Sequence, residues 1–285
     1  MSGTSRFHKK CCLVTGGSSG IGFELAEALL GEGANVLIAG HDESALKAAC
    51  ERLAIDSRKI SWQLADVSKA SDVEQLINDA VKRFGRIDYL FNNAGISGTL
   101  PIGEATLEQW QRVMDVNLWG VIHGTHYALP VMRRQGNGHI INTASASGLV
   151  PLPDQALYVA SKYAVVGLSE SMRLELAASG ITLTVVCPGP VASSLWGKSI
   201  TGARTDRQAP FGAITPAAAA KLILAGVAKG RGILVFPARQ RWGWRMYRWF
   251  PRLTEVVLQR AASRTRADDR KTAASTSKKM TSDRT

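Results

Sequence analysis

Residues 11–22 read CCLVTGGSSGIG, an apolar and β-branched run that passes directly into glycines and serines. The run suits a short buried strand, and the following FELAEALLGEG carries apolar residues at helical spacing. The stretch therefore reads as strand, glycine turn and helix. Gly16 permits the tight turn, Gly20 lets backbone approach a bound group, and Gly22 permits close helix packing. With Ser18, Ser19 and Ile21 they form a loop whose N–H groups, at the positive end of the helix dipole, suit a pyrophosphate. The plain alternative is a strand-to-helix turn with no ligand.

Outward from this stretch the alternation continues. NVLIA precedes DESALKAACERL, ISWQL precedes a helix near 71–84, and IDYLF precedes a long helix from about 106. HIINT leads to a helix from about 157, ITLTVV to a loop and a helix from 216, and GILVF closes the series. Strands alternating with helices predict an α/β fold: one doubly wound parallel sheet with helices on both faces, spanning residues 1–237. Helix starts are chemically marked: Thr106-Leu107-Glu108-Gln109 fits a capping box, and Thr215-Pro216 an N-cap followed by proline.

Composition narrows the class. The chain has 285 residues, 45% of them hydrophobic, enough for one large domain with a sizeable core. No apolar run reaches the roughly 18–20 residues that span a bilayer, and MSGTSRFHKK leaves no room for a signal peptide, so a cytoplasmic protein is expected. Cys11, Cys12, Cys50 and Cys187 lack metal-ligand spacing, so free thiols and no metal site are expected. The net charge of +12 is concentrated after residue 230, where Lys and Arg far outnumber Asp and Glu.

Cofactor choice is normally read at the end of the second strand, where an acid accepts hydrogen bonds from ribose and repels a 2′-phosphate. Here the residues are Ala39, Gly40, His41 and Asp42. Gly40 removes the acid from the expected place, and protonated His41 could support a phosphate that Asp42 would oppose; NADP(H) is favoured over NAD(H). Asp42 could equally cap the next helix. Asp66, with Val67 after the third strand, could accept from an adenine amino group or cap a turn.

The order TGGSSGIG, Asn92-Asn93-Ala94-Gly95, Asn117, Ser145, Tyr158-xxx-Lys162 and Pro188-Gly189 resembles the short-chain dehydrogenase/reductase family over about residues 9–236, implying a Rossmann-type fold. The resemblance implies a catalytic set of Asn117, Ser145, Tyr158 and Lys162. Tyr158 would protonate a carbonyl oxygen in reduction or act as base in alcohol oxidation, and Ser145 would bond the substrate oxygen. Lys162, one helical turn from Tyr158, would stabilise phenolate and hold the nicotinamide ribose, while Asn117 would bind a relay water. Asn92, Ala94 and Gly95 would line the cofactor channel; Pro188, Gly189 and Val191 would flank the nicotinamide, and Ser193 would reach its carboxamide or a phosphate. A non-catalytic dinucleotide-binding sensor would not need the catalytic four.

The segment 193–212 reads as a substrate lid, with Leu195, Trp196, Ile200 and Phe211 as an apolar lining suited to a steroid-, retinoid- or lipid-like ketone or alcohol. Members such as the 3-oxoacyl carrier-protein reductases, the alternative reading, often end in a Gly-Gly segment that this chain lacks. Residues 238–262 instead form an amphipathic helical extension in which Arg241, Arg245, Arg248 and Arg252 run beside Trp242, Met246, Trp249 and Leu253, with Pro251 as a break. Residues 239–260 suit peripheral contact with a membrane, or packing on the domain or a second subunit of a homo-dimer or homo-tetramer. No nucleic-acid-binding module accompanies the charge. Residues 263–285 lack apolar periodicity and read as a disordered basic tail.

Overall fold

The computed structural model describes residues 5–53, 58–98, 100–197, 200 and 208–260. Seven strands form one parallel sheet: β1 Cys11–Thr15, β2 Asn35–Gly40, β3 Ile60–Leu64, β4 Tyr89–Asn92, β5 Gly138–Thr143, β6 Ile181–Pro188 and β7 Ile233–Phe236, in the order β3-β2-β1-β4-β5-β6-β7. The helices are α1 Gly20–Gly31, α2 Glu43–Leu53, α3 Ala70–Phe84, α4 Leu107–Met114, α5 Gly120–Gln135, α6 Ala156–Glu175, α7 Pro216–Ala228 and α8 Ala238–Trp249. This is the doubly wound arrangement expected from the alternation of patterns.

Strand side chains alternate between two apolar layers, which is why the central strands are buried throughout. Cys12, Val14, Val36, Ile38, Phe91 and Val186 pack with Leu25, Leu29, Leu46 and Ile223 of α1, α2 and α7. Leu13, Leu37, Leu90, Ile140 and Leu183 pack on the opposite face with Leu76 and Ile77 of α3 and Met132 of α5. All four cysteines are free thiols.

Both predicted caps form. Thr106 accepts from Gln109 N–H while Gln109 accepts from Thr106 N–H, and Thr215 accepts from Ala218 N–H ahead of Pro216. The long helix from 106 differs from expectation in one respect: a π turn, Asp115–Trp119, separates α4 from α5. Pro251 interrupts the basic extension as predicted, and helix resumes over 251–260. The expected disordered tail lies outside the described residues, as does much of the lid.

The sheet's two edges differ chemically. At the N-terminal edge buried Asp88 is fully engaged, accepting from Cys11 N–H at 2.9 Å, Lys10 Nζ at 3.2 Å and Arg86 Nε at 3.0 Å. Nearby His139 is buried, with Nε2 2.8 Å from Thr184 Oγ1. Thr184 spends its own proton on Arg231 O, so His139 is the donor in that bond. Burial, with Arg6 adding to it, lowers the His139 pKa from 6.5 to about 4. The native state thus refuses a proton that the unfolded chain accepts, so this stability is present above pH 6.5 and lost as pH falls toward 4. We predict an acid loss of about 3 kcal/mol from this group. Urea unfolding at neutral and mildly acidic pH should show a smaller acid loss in His139→Gln than in the wild type; equal losses would dismiss the assignment.

Candidate active site

The strand order reverses between β1 and β4, and in open parallel sheets a crevice forms at that switch, outside the carboxyl ends of the strands. Thr15-Gly16, Asn92–Gly95, Thr143–Ser145 and Pro188-Gly189 all emerge there. The glycine loop is pinned to the β4 loop by a residue that the sequence reading overlooked. Thr15 Oγ1 accepts from Asn93 N–H at 3.0 Å and Ala94 N–H at 3.1 Å, and Asn93 Nδ2 donates to Thr15 O at 3.1 Å. Thr15 and Asn93 could have been found as the polar residues bordering the two motifs.

The loop fits a pyrophosphate. Gly16 and Gly20 have φ of 66° and 55°, a region that favours glycine. Ser19 occupies the N-cap of α1 without using its side chain there, and the first turn carries no acid. Ser18 and Ile21 are half-buried beside it. Ser193 faces the loop from across the crevice, 3.4 Å from where a Cβ on Gly20 would lie.

At the adenosine end, Asp42 serves as the cap of α2: its Oδ1 accepts from Ala45 N–H at 3.0 Å and Ser44 Oγ at 2.7 Å. These bonds, the Ala45 N–H foremost, lower its pKa. Exposed His41 adjoins it. Asp66 takes its turn-capping option through Oδ1, which accepts from Ser68 N–H and Ser68 Oγ. Val67 is buried, and its carbonyl lies 3.0 Å from His123 Nδ1, which ties this loop to α5.

Asn92 requires a correction. Its side chain is buried away from the channel: Nδ2 donates to Asn142 Oδ1 at 2.9 Å and Thr125 Oγ1 at 3.3 Å, which couples β4 to β5 and α5. Ala94 and Gly95 stay at the crevice, and a Cβ on Gly95 would lie 3.2 Å from Asn117 Oδ1 and 3.5 Å from Lys162 Nζ.

The π turn brings Asn117 inward, fully buried. Its Oδ1 accepts from Ile96 N–H at 2.8 Å; its Nδ2 donates to Ile96 O and to Ser161 Oγ, each at 3.1 Å. Ser161 in turn donates to Tyr158 O at 2.8 Å. Through these bonds the Asn117 amide positions the 95–98 loop against α6. π turns of this kind recur at functional sites.

Tyr158 and Lys162 share one face of α6. Lys162 is buried, donates from Nζ to Thr143 O at 3.0 Å, and lies 5.6 Å from the Tyr158 ring centre. Tyr158 is half-buried. Burial raises the phenol's pKa and outweighs the hydrogen bonding from Ser145, which lowers it. Burial also lowers Lys162 from 10.5 to about 8. The two shifts share one cause, burial, which disfavours the charged form of each group.

Ser145 Oγ accepts from Ser147 N–H at 3.1 Å, which fixes its rotamer. Behind it lies Cys187, whose thiol accepts from the Ser145 backbone and is pushed up to about 12, chiefly by burial. Pro188 and Gly189 follow, with Gly189 N–H donating to Phe236 O at 2.7 Å; Val191 is buried in the isolated bridge to Ile214. In the described part of the lid, Ile200 is buried against Val113 and Leu157, and Trp196 Nε1 donates to Val191 O at 2.8 Å. Leu195 is half-buried. Phe211 corrects the lining prediction: it is fully exposed.

Comparison with known proteins agrees with this geometry. The short chain dehydrogenase family model matches residues 10–203. A D-beta-hydroxybutyrate dehydrogenase of Cupriavidus necator is 38% identical over 67% of this chain and 74% of its own length. A 3beta-hydroxysteroid dehydrogenase of Eggerthella lenta is 40% identical over 64% of this chain and 71% of its own. A Burkholderia phymatum short chain dehydrogenase/reductase crystallised with NAD superposes with a TM-score of 0.80 at 27% identity, covering 87% of this chain and 96% of that one. The family model, matching more than half of the chain, makes it a member of the short-chain dehydrogenase family, a pyridine-nucleotide oxidoreductase of that kind, whose switch-point crevice carries the glycine loop, half-buried Tyr158 beside buried Lys162, and Ser145.

Proposed function

We propose that the protein reduces a lipophilic ketone to a secondary alcohol, with NADP(H) as cofactor and Tyr158 as proton donor. The observation that carries this reading is the convergence of half-buried Tyr158 with buried Ser145 and Lys162 at the switch point, Lys162 Nζ lying 5.6 Å from the Tyr158 ring centre. A neutral phenol can give a proton to a carbonyl oxygen across the physiological range. Ser145 Oγ, held by Ser147 N–H, orients that oxygen and offsets its developing charge. Lys162 keeps its ammonium below about pH 8, anchored on Thr143 O, where its charge offsets the phenolate that Tyr158 becomes on giving up its proton. Asn117 holds the 95–98 loop in place. The nicotinamide supplies the hydride when bound.

Lipophilic specificity is supported by the wall beside Tyr158. Its accessible part is Ile96, Leu100 and Trp110, partly buried and packed on the enclosed Val113, Leu157 and Ile200. Initial rates of NADPH oxidation with a short 3-oxo acid, a 3-oxosteroid and a cyclic dione test the reading. Faster turnover of the steroid supports it, and a preference for the short acid contradicts it.

For NADP(H) the support is local: Gly40 offers no carboxylate to the ribose, and the Asp42 carboxylate is drawn into the α2 cap. Gly40→Asp should fit, since a Cβ there meets only Leu46 at ordinary distances from 3.5 Å. The new acid would repel a 2′-phosphate and bond the ribose, so we predict about a tenfold to hundredfold shift toward NADH. Parallel fluorescence titrations with NADPH and NADH measure it; an unchanged ratio would remove β2's end from cofactor selection.

A further inference from the structure

α8 turns one side to the domain and the other to water. Gln240 covers Gly189, Trp244 packs at the edge of the Val121 and Val165 cluster, and Tyr247 faces Tyr163. On the opposite side Trp242, Met246 and Trp249 are exposed, Trp249 at 71%. The same stripe continues beyond Pro251 through Leu253, Val256 and Val257, again all exposed, at steps of three and four residues. An apolar stripe of this length standing in water calls for a covering surface.

Its borders indicate which surface. Arg241, Arg245, Arg248 and Arg252 run alongside, with the Arg245 guanidinium 5.6 Å from the Trp242 ring centre. From 238 to 260 the single acid is Glu255. A two-fold pairing with a second copy would set this stripe against itself and bring arginines onto arginines. An anionic lipid surface satisfies both halves of the face: indole rings settle at headgroup level and guanidinium groups meet phosphate. The helix is short and amphipathic, suited to lying in the interface plane, and among the described residues no helix is long and apolar enough to cross a membrane.

We propose that the outer face of α8 and of residues 251–260 docks the protein onto an anionic phospholipid surface. α8 is rooted at the mouth of the crevice, where Gln240 lies over Gly189 and Arg239 Nη2 donates to Gly212 O at 2.6 Å. Docking therefore sets the substrate mouth beside the lipid. Supply of a lipophilic ketone from the bilayer rests on the proposed function; the docking does not.

Co-sedimentation of the full chain with phosphatidylcholine vesicles, with and without phosphatidylglycerol, tests the docking. Binding should require phosphatidylglycerol, weaken at high salt, and fall at least about tenfold in a Trp242→Glu/Trp249→Glu double variant. NADPH titration of that variant should be unchanged, which shows that the fold is intact and keeps this test separate from the enzymatic reading. Equal sedimentation with both vesicle types, or none with either, overturns the proposal. So does vesicle binding that survives the double variant, which would move it to the basic segment after 260. A double variant that dissociates an oligomer in size-exclusion chromatography, with no vesicle binding by the wild type, would assign the face to a second copy instead.

Discussion

Replacing Tyr158 by phenylalanine is expected to lower turnover by roughly 10²–10⁴-fold, the range that a positioned proton donor contributes, while leaving NADPH affinity within about twofold. The substitution removes one oxygen and keeps the ring, so packing against the neighbours of α6 is preserved. The lost group is a phenol whose pKa desolvation has raised, so its removal leaves no stranded charge. Lys162 should keep its own state, because burial is what sets it near 8 and its anchor is Thr143 O. Tm and cofactor titration should therefore be near wild type while kcat collapses. A Tyr158→Phe enzyme with full kcat would refute the assigned role, and one that also loses NADPH would recast Tyr158 as part of the cofactor cradle.

The second large effect is expected at Gly22, on the first turn of α1. A Cβ there would overlap the Gly16 carbonyl oxygen and lie 2.7 Å from Asn93 Nδ2 and 2.8 Å from the Gly16 carbonyl carbon. Gly16 is backbone and cannot swing aside, and Asn93 is held by Thr15. In Gly22→Ala the glycine loop must shift, which breaks the join between the β1 and β4 loops that shapes the phosphate site. The prediction is about a hundredfold or greater loss of NADPH affinity together with a cost of about 1–3 kcal/mol in stability from overpacking. Gly31→Ala, on the same helix with nothing within 4 Å of its added Cβ, is the control and should change neither cofactor affinity nor fold. Isothermal titration of both variants separates the outcomes; equal affinities would mean that the loop is not built around Gly22.

The elements that local chemistry specifies were readable in the sequence. Alternating apolar runs and helical stripes dictated the parallel sheet, the Thr106 box and Thr215-Pro216 cap marked two helix starts, and Pro251 marked a break. What could not be read there depends on partners distant in the chain. The π turn at Asn117 has no periodic signature, and the amide it carries inward bonds Ile96 across a separation of 21 residues. Asn92 and Asn93 are adjacent and chemically identical, yet strand alternation carries Asn92 into the layer between β4 and α5 and leaves Asn93 at the loop. Phe211 reads as apolar lining by composition but stands in water. The spacing of four puts Tyr158 and Lys162 on one face of α6 but does not tell how deeply Lys162 is buried beneath it.

The most direct test of the central claim follows the hydride. Wild type and Tyr158→Phe would be incubated with NADPH carrying deuterium at both C4 positions of the nicotinamide and a lipophilic ketone, and the alcohol analysed by mass spectrometry. The account predicts one deuterium on the carbinol carbon from the wild type and a loss of labelled product of roughly 10²–10⁴-fold in the variant. NADPH that binds the wild type but delivers no deuterium to any ketone offered, or equal labelling by both proteins, would contradict it.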